Sequence, residues 1–600
     1  MYNLVNEIGQ QTLTTSTFLG LNLNEEINGG EFSVSENLSN AEYPVLKPRE
    51  NFWVKDLGES VQDFCVRGST YAIIRDHYLY WAGGENPVNA IQFDDTKTQY
   101  FVSMGAYLLV FPDGYYFNTE KTTEKGYVER KYNTGATSTT FSLCKQDGSA
   151  YATPTVSAAE PDNPQNGDLW IDTTETPHVL KQWSESAAMW VTIPTVYTKI
   201  AHAGIGAGLK MYDSVEISGI IASGSPVQDQ LTFLNTTMIV YDCGDDYIVV
   251  AAIVDQTASV TDDIHVDMTM PKMDFVIESQ NRLWGCKYGI VNNEPINEIY
   301  ASKLGDFRNW RSYMGLSTDS YTVSLGSDGE FTGAINYLGY PLFFKRNILH
   351  KIYGNAPSNY QVQTTNCRGV QKESERAMAI IDEKLYYLSE TDICVYDGSL
   401  PVKISDALGT RKWSWGTFGA VRGMLWAGLV DCTDDNEDNW LYRVFSFDTK
   451  KGIWQEHTFG ETDVAIARFA EFPHYGGACV NYNGKLYQMA DVDTEDWNRE
   501  DMKWRLVTPR MLYGDDKNTM KLLKVTLRMR IETGAWVKAY VEYDDEGVWN
   551  EQREFRASKL GTYILPIFVR KCDHLRVKLE GKGRMALFSI NQVYTEGANR

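Results

Sequence analysis

The run Lys384 to Ser405, KLYYLSETDICVYDGSLPVKIS, decides how the rest of the chain is read. Leu385, Tyr386, Tyr387 and Leu388 form a short apolar stretch rich in β-forming residues, and polar Ser389 to Asp392 after it reads as a hairpin turn. Ile393, Val395 and Tyr396 make a second strand that runs into Asp397-Gly398-Ser399. Gly tolerates positive φ there, and Asp bonds the backbone two residues on. The unit is strand, tight turn, strand, Asp-Gly turn. Alternating members among Leu385, Tyr387, Ile393 and Val395 are expected to face neighbouring sheets, with Asp392 exposed in the turn.

Similar wording recurs at His77 to Gly84, Gly105 to Asn118, Asn281 to Gly285, Tyr337 to Gly354 and Asn483 to Asp491. Phe343, Tyr386, Phe445 and Tyr487 stand at intervals of roughly 40 to 60 residues, the length of a four-stranded propeller blade. No WD or kelch signature marks the repeat. The pattern predicts an all-β chain built on a degenerate β-propeller, with a meandering β-sandwich as the alternative.

The chain has 600 residues, 43% of them hydrophobic, and its 36 Tyr, 24 Phe and 16 Trp suit pleated, half-buried surfaces. With 56 basic and 79 acidic residues the formal charge is −23, which argues against a sequence-independent grip on phosphates. The nine cysteines include no CxxC pair, so neither a zinc site nor a disulfide framework is expected. No secretory pattern starts at Met1, and no apolar run of membrane-spanning length occurs. These features predict a soluble protein made in a cytoplasm.

Five segments follow. Residues 1–50 read as an extended arm, where Pro44 and Pro48 forbid a central strand or a helix interior. Residues 51–150 hold the first blades, and 151–260 an insert of small β-modules budding from a loop. Residues 261–503 hold the remaining blades, where Phe307 and Trp310 are expected to pack back on their blade. Residues 504–600 form a C-terminal β-sandwich, read as a separate domain. Within the insert, Thr153 to Asn166 is a linker, and Trp170, Trp183 and Trp190 sit on three short strands. Those tryptophans have three readings: packing of the module, a protein contact, or stacking on sugar rings.

No catalytic motif is present: no G-x-S-x-G elbow, H-E-x-x-H, P-loop or Rossmann fingerprint. The eight histidines, at 77, 178, 202, 265, 350, 457, 474 and 574, are scattered. The acidic run Asp431 to Asn439 lacks the glycine and spacing of a calcium loop and reads as a solvated hairpin. Arg570, Lys571, His574, Arg576 and Lys578 form the most basic part of the chain, a docking face for something acidic or simply solvated strand faces. No catalytic, metal or cofactor residue is assigned.

Three parts of the chain resemble the propeller-bearing tail nozzle proteins of short-tailed bacteriophages. The first comprises Gly20-Leu21-Asn22, Glu36-Asn37-Leu38-Ser39 and Tyr43 to Arg49. The second comprises Asn281 to Gly285, Ile299 to Asp306, Phe343-Phe344-Lys345 and His350 to Gly354. The third comprises Arg570 to His574 with Leu579 to Gly583. The insert lies outside the resemblance. The resemblance implies a structural, non-enzymatic virion protein of the tail, made in the host cytoplasm. It implies a homo-oligomeric ring, a hexamer, beside adaptor or fibre proteins. Viral DNA would pass through it during ejection without sequence-specific binding, and carboxylates lining such a conduit would repel phosphates. The alternative is a receptor- or carbohydrate-binding tail protein that contacts the host surface through residues 151–260. A glycosidase-like propeller, which needs only two carboxylates some 5 to 9 Å apart, is the third reading.

Overall fold

The hairpin grammar of Lys384 to Ser405 materialises as the middle of a blade. Lys384–Leu388 pairs antiparallel with Ile393–Tyr396, and Leu388 opposes Ile393 across the Ser389–Asp392 turn. Met378–Ile381 lies on one side and Val402–Lys403 on the other, giving four strands in sequence order. At the far turn Gly398 has φ 105°, and Ser399 N–H donates to Asp397 Oδ1 at 3.1 Å. Alternation sends Leu385 and Tyr387 against the preceding sheet, beside Leu342 and Phe344. Tyr386, Leu388 and Ile393 go against the following one, beside Phe445 and Trp454.

This computed structural model describes residues 10–58, 60–434, 436, 440–459, 465–473, 476–489, 498–500, 502–512, 520–556, 559–565, 572 and 574–596. Seven sheets, four of them four-stranded like this one, follow one another, which resolves the alternative of a simple meander in favour of a propeller. Their first strands are Val61–Arg67, Tyr100–Met104, Phe275–Ser279, Phe331–Tyr337, Met378–Ile381, Trp413–Val421 and Ile466–Ala470, defining blades one to seven. Apart from Phe331–Tyr337 and Met378–Ile381, each of these strands lies against the next in the series, and Ile466–Ala470 returns to Val61–Arg67. Blades four and five meet through the shared cluster of Tyr337, Phe344, Leu385 and Tyr387. Blade seven takes its fourth strand from the N-terminal region: Phe52–Asp56 pairs antiparallel with Lys485–Gln488, and Asn498–Glu500 pairs on its other side.

Several blades turn from one strand to the next through two left-handed residues, as at Asp76-His77, Gln280-Asn281 and Asp382-Glu383. Such turns match the twist of the flanking strands. Blade one has three strands, and its outer edge is covered. Leu79 N–H donates to the buried Asn89 side chain at 2.8 Å, and Val88 N–H donates to the Leu79 carbonyl at 2.7 Å. Phe307 and Trp310 pack on blade three with Leu283 and Tyr300, joined by Tyr107 and Tyr116 of blade two.

The described part of the arm, from residue 10 on, is woven into the fold. Gln10–Thr15 pairs with Met585–Glu596, and Val34–Glu36 lies between Ile453–His457 of blade six and Lys503–Val507. Blade six thereby continues into the C-terminal sandwich as one ten-stranded sheet, so the sandwich read as a separate domain shares a sheet with the propeller. Phe18, Phe32, Leu38 and Leu46 of the arm are buried in the sandwich core with Leu527, Val537 and Leu579. The arm therefore does more than lie across a finished surface.

The insert begins before residue 151. Thr139–Cys144 is already part of a seven-stranded sheet with Tyr197–Ala201, Tyr247–Ala251, Thr237–Gly244, Ser214–Ser218, Ala258–Val260 and His265–Asp267. Bridges Arg130 to Met268 and Asn133 to His265 mark its base. The four-stranded tryptophan sheet is nested between Thr139–Cys144 and Tyr197–Ala201. Among the described residues, Gln228–Thr232 is the one α-helix, and no helix is long and apolar enough to cross a membrane.

Asp392, expected to be exposed, is buried. Its carboxylate meets Arg368 Nη1 at 2.8 Å and Lys403 Nζ at 2.9 Å, because the turn folds back onto both neighbours. The basic C-terminal residues are likewise paired: Arg576 with Glu542 and Asp545, His574 with Asp545, and Lys578 with Glu580. Arg570, Lys571, Asp573 and His474, with residues 435, 437–439 and 490–491 of the stretches named above, lie outside the described residues.

Leu385→Ala should cost about 2 to 5 kcal/mol, from lost burial and the cavity left behind. Asp392→Ala should cost about 1 to 2 kcal/mol, well above a surface change, since two half-exposed cations lose their partner. Urea unfolding of both variants checks this. Equal, negligible effects would show that the blade register is wrong.

Candidate functional site

The pattern Leu169-Trp170-Ile171-Asp172 against Leu180-Lys181-Gln182-Trp183 places alternate residues on opposite faces of the small sheet. That sheet is formed by Thr155–Ser157, Leu169–Asp172, Val179–Ser184 and Met189–Thr192. Leu169, Ile171 and Leu180 form the inner face and pack against Leu143, Ile193 and Ile253. Trp170 opposes Lys181, Lys181 opposes Thr192, and Trp183 opposes Trp190, so these residues share the outer face.

The three tryptophans differ in burial. Trp170 is 3% exposed, and its Nε1 donates to the Ser157 carbonyl at 3.0 Å. Trp183 and Trp190 are half-buried, each indole meeting the next edge-on. Ring centroids are 5.5 Å apart in both Trp170–Trp190 and Trp183–Trp190. Packing of the module therefore accounts for Trp170, while two indoles remain available at the surface. Lys181 Nζ stands 4.8 Å above the Trp170 ring and 2.7 Å from Asp172. The Lys181 ammonium and the Thr174 hydroxyl bonded to Asp172 bring its carboxyl down to about 2. The face is thus aromatic and charge-compensated. Lys181 and Asp172 were not singled out from sequence, although the same alternation that exposes Trp183 places them beside it.

The axis of the propeller is differently furnished. Arg376, at the entry to blade five, donates through Nη1 to the Gln62 carbonyl of blade one at 2.7 Å and through Nη2 to the Gln99 carbonyl at 3.4 Å. Its side chain therefore crosses the ring. Asp63 is fully buried, accepts from the N–H groups of Phe64 and Phe101 at 2.9 and 2.8 Å, and lies 3.4 Å from Arg468 Nε. This carboxylate is committed to joining blades. Among the described residues no group of three or more His, Cys, Asp or Glu side chains is placed to hold a metal ion.

The insert carrying the tryptophan face docks on blade three. Lys303 Nζ and Asn309 Nδ2 donate to the Tyr212 carbonyl at 3.2 and 3.1 Å, and Arg311 pairs with Glu216 at 3.1 Å. Arg130 reaches the carbonyls of Gly204, Ile205, Ala207 and Val266 at the base. Asp213 lies in this contact, and burial pushes its carboxyl up to about 6.

No known protein family matches the sequence, and no curated protein matches it. Solved structures that the chain matches include an exo-β-1,3-galactanase from Phanerochaete chrysosporium, 8% identical over 53% of this chain and 94% of that one, TM-score 0.21. Phage phi92 endosialidase is 10% identical over 92% of this chain and 77% of that one, TM-score 0.21. PorZ of Porphyromonas gingivalis is 8% identical over 84% and 82%, TM-score 0.18. Such similarities assign no role to any residue. The expectation of a non-enzymatic chain is not upheld, since glycoside hydrolases are among the structures matched.

Because Asp213 holds its proton more tightly in the folded state than in the unfolded chain, it favours folding at low pH. That contribution declines as pH rises from about 4 to about 6. The melting temperature of the insert should therefore carry a downward component across this window that Asp213→Asn removes. Superimposable pH profiles for the two proteins would refute the assignment.

Proposed function

We propose that this chain is a carbohydrate-binding protein of a phage tail and that Trp183 and Trp190 form its glycan-contacting surface. The observation that carries the reading is the pair of half-buried indoles on the outer face of a sheet whose inner face already supplies its core. An indole offers a flat apolar surface and a polar N–H, which suits the two-sided chemistry of a pyranose ring. Trp170 beside them, with Lys181 held over it by Asp172, fixes the platform before a ligand arrives, so little ordering cost is left for binding. Since Lys181 is neutralised by Asp172, the face favours uncharged sugars over polyanionic ones.

Placement on a tail rests on the wording of the arm and blades. The ring-forming nozzle, its sixfold symmetry and its adaptor or fibre neighbours rest on that resemblance alone.

Binding of the full chain to a glycan array, followed by titration of the strongest hits, tests the proposal. Trp183→Ala and Trp190→Ala should each weaken binding about tenfold or more while the protein retains its cooperative thermal transition. Retention of full affinity in both variants, or no binding across the array, would overturn it. Release of reducing ends from the bound glycans would separate turnover from simple binding.

A further inference from the structure

A concavity lies about the junction of arm and propeller, on elements that the tryptophan face does not share. It measures about 330 Å³ and is enclosed by residues 38–42 and 47–50 of the arm, by blade six and by the edge of blade seven. Its mouth is charged and exposed. Its floor is buried and includes Asn40, Phe52, Trp426, Ser446, Gln455 and His457.

The floor holds a polar group with unmet capacity. His457 is 5% exposed, its Nε2 is 2.8 Å from Ser446 Oγ, and Trp426 lies against its ring with centroids 4.6 Å apart. Its Nδ1 is buried without a partner. An orphaned buried nitrogen costs roughly 1 to 3 kcal/mol, a penalty that a ligand hydrogen bond would remove. Burial, and secondarily the Arg49 guanidinium, hold this imidazole well below its ordinary range, so it is neutral. A neutral imidazole presents either a donor or an acceptor at Nδ1, and a hydroxyl group answers both.

Charge narrows the ligand further. At the mouth, Arg422 Nη1 meets Glu50 at 3.2 Å, Lys47 meets Glu42, and Lys451 Nζ meets Asp448 at 2.6 Å. In the lining as a whole Lys47, Arg49 and Arg422 stand against Glu42, Glu50 and Asp448, so cations and anions balance and no net field selects an ion. The volume stands at the small end of ligand pockets. We propose that this cavity binds a neutral, hydroxylated molecule the size of one sugar ring, with a hydroxyl group meeting His457 Nδ1.

Titration of the full chain with D-glucose, D-galactose and N-acetyl-D-glucosamine, followed by ligand-observed NMR, tests this. The Trp183→Ala/Trp190→Ala background removes the outer face from the signal, so failure of one site is distinguishable from failure of the other. At least one sugar should bind more tightly than about 50 mM. His457→Phe keeps the ring and loses both nitrogens, and Ala41→Trp fills the exposed rim. Each should weaken binding about tenfold or more. Should His457→Phe fail to fold, Ala41→Trp decides alone, because its site is on the surface. The proposal is overturned if none of the three sugars binds, or if binding survives in the variants that fold.

Discussion

Everything in this molecule hangs on one long-range pairing, Phe52–Asp56 against Lys485–Gln488. Each blade buries its two faces against its neighbours: Leu385 and Tyr387 serve the preceding blade, and Tyr386 and Ile393 the following one. An open series would leave a sheet face bare at each end, and an isolated small sheet is marginal in water. Joining ends this far apart in sequence costs chain entropy, but that cost grows only logarithmically with loop length, whereas burial grows with every side chain covered. Phe52 shows the return: it stacks on Phe459 at 4.4 Å and meets Tyr487 edge-on, while Arg49 lies 3.4 Å over its ring.

Local pairing was legible in the sequence because a hairpin writes itself in adjacent residues. The Lys384 to Ser405 register follows from apolar alternation and two turns, and the outer face bearing Trp183 follows from the same period of two. The spacing of repeats was less faithful. Phe343 and Tyr386 lie on second strands, whereas Phe445 and Tyr487 lie on third strands, so a single series mixed two positions within the blade. Thr139–Cys144 has the same apolar alternation whether it completes a blade or opens the insert. Only its pairing with Tyr197–Ala201 decides.

Features assembled from distant segments were not legible. Asp392 looks like a turn carboxylate until Arg368 and Lys403 are brought to it. The cavity around His457 needs an arm residue, Asn40, beside blade six, and no spacing rule joins residues more than 400 positions apart. Arg376 is similar: as a sequence letter it is one arginine among many, yet it ties blade five to blades one and two. The surplus of negative charge also says little about individual places, since the basic strand near the C-terminus is balanced by Glu542, Asp545 and Glu580.

The sheet that runs from blade six through Val34–Glu36 into the sandwich has a mechanical meaning. Two bodies joined by a linker swivel, and a pull on one merely straightens the connection. Here the load would pass through hydrogen-bonded strands, with the narrow Val34–Glu36 strand as the weld. Force directed along those strands would strain all of its bonds together, whereas force across them would open the bonds in turn. The molecule is therefore a stiff lever along one direction and a zipper along the other.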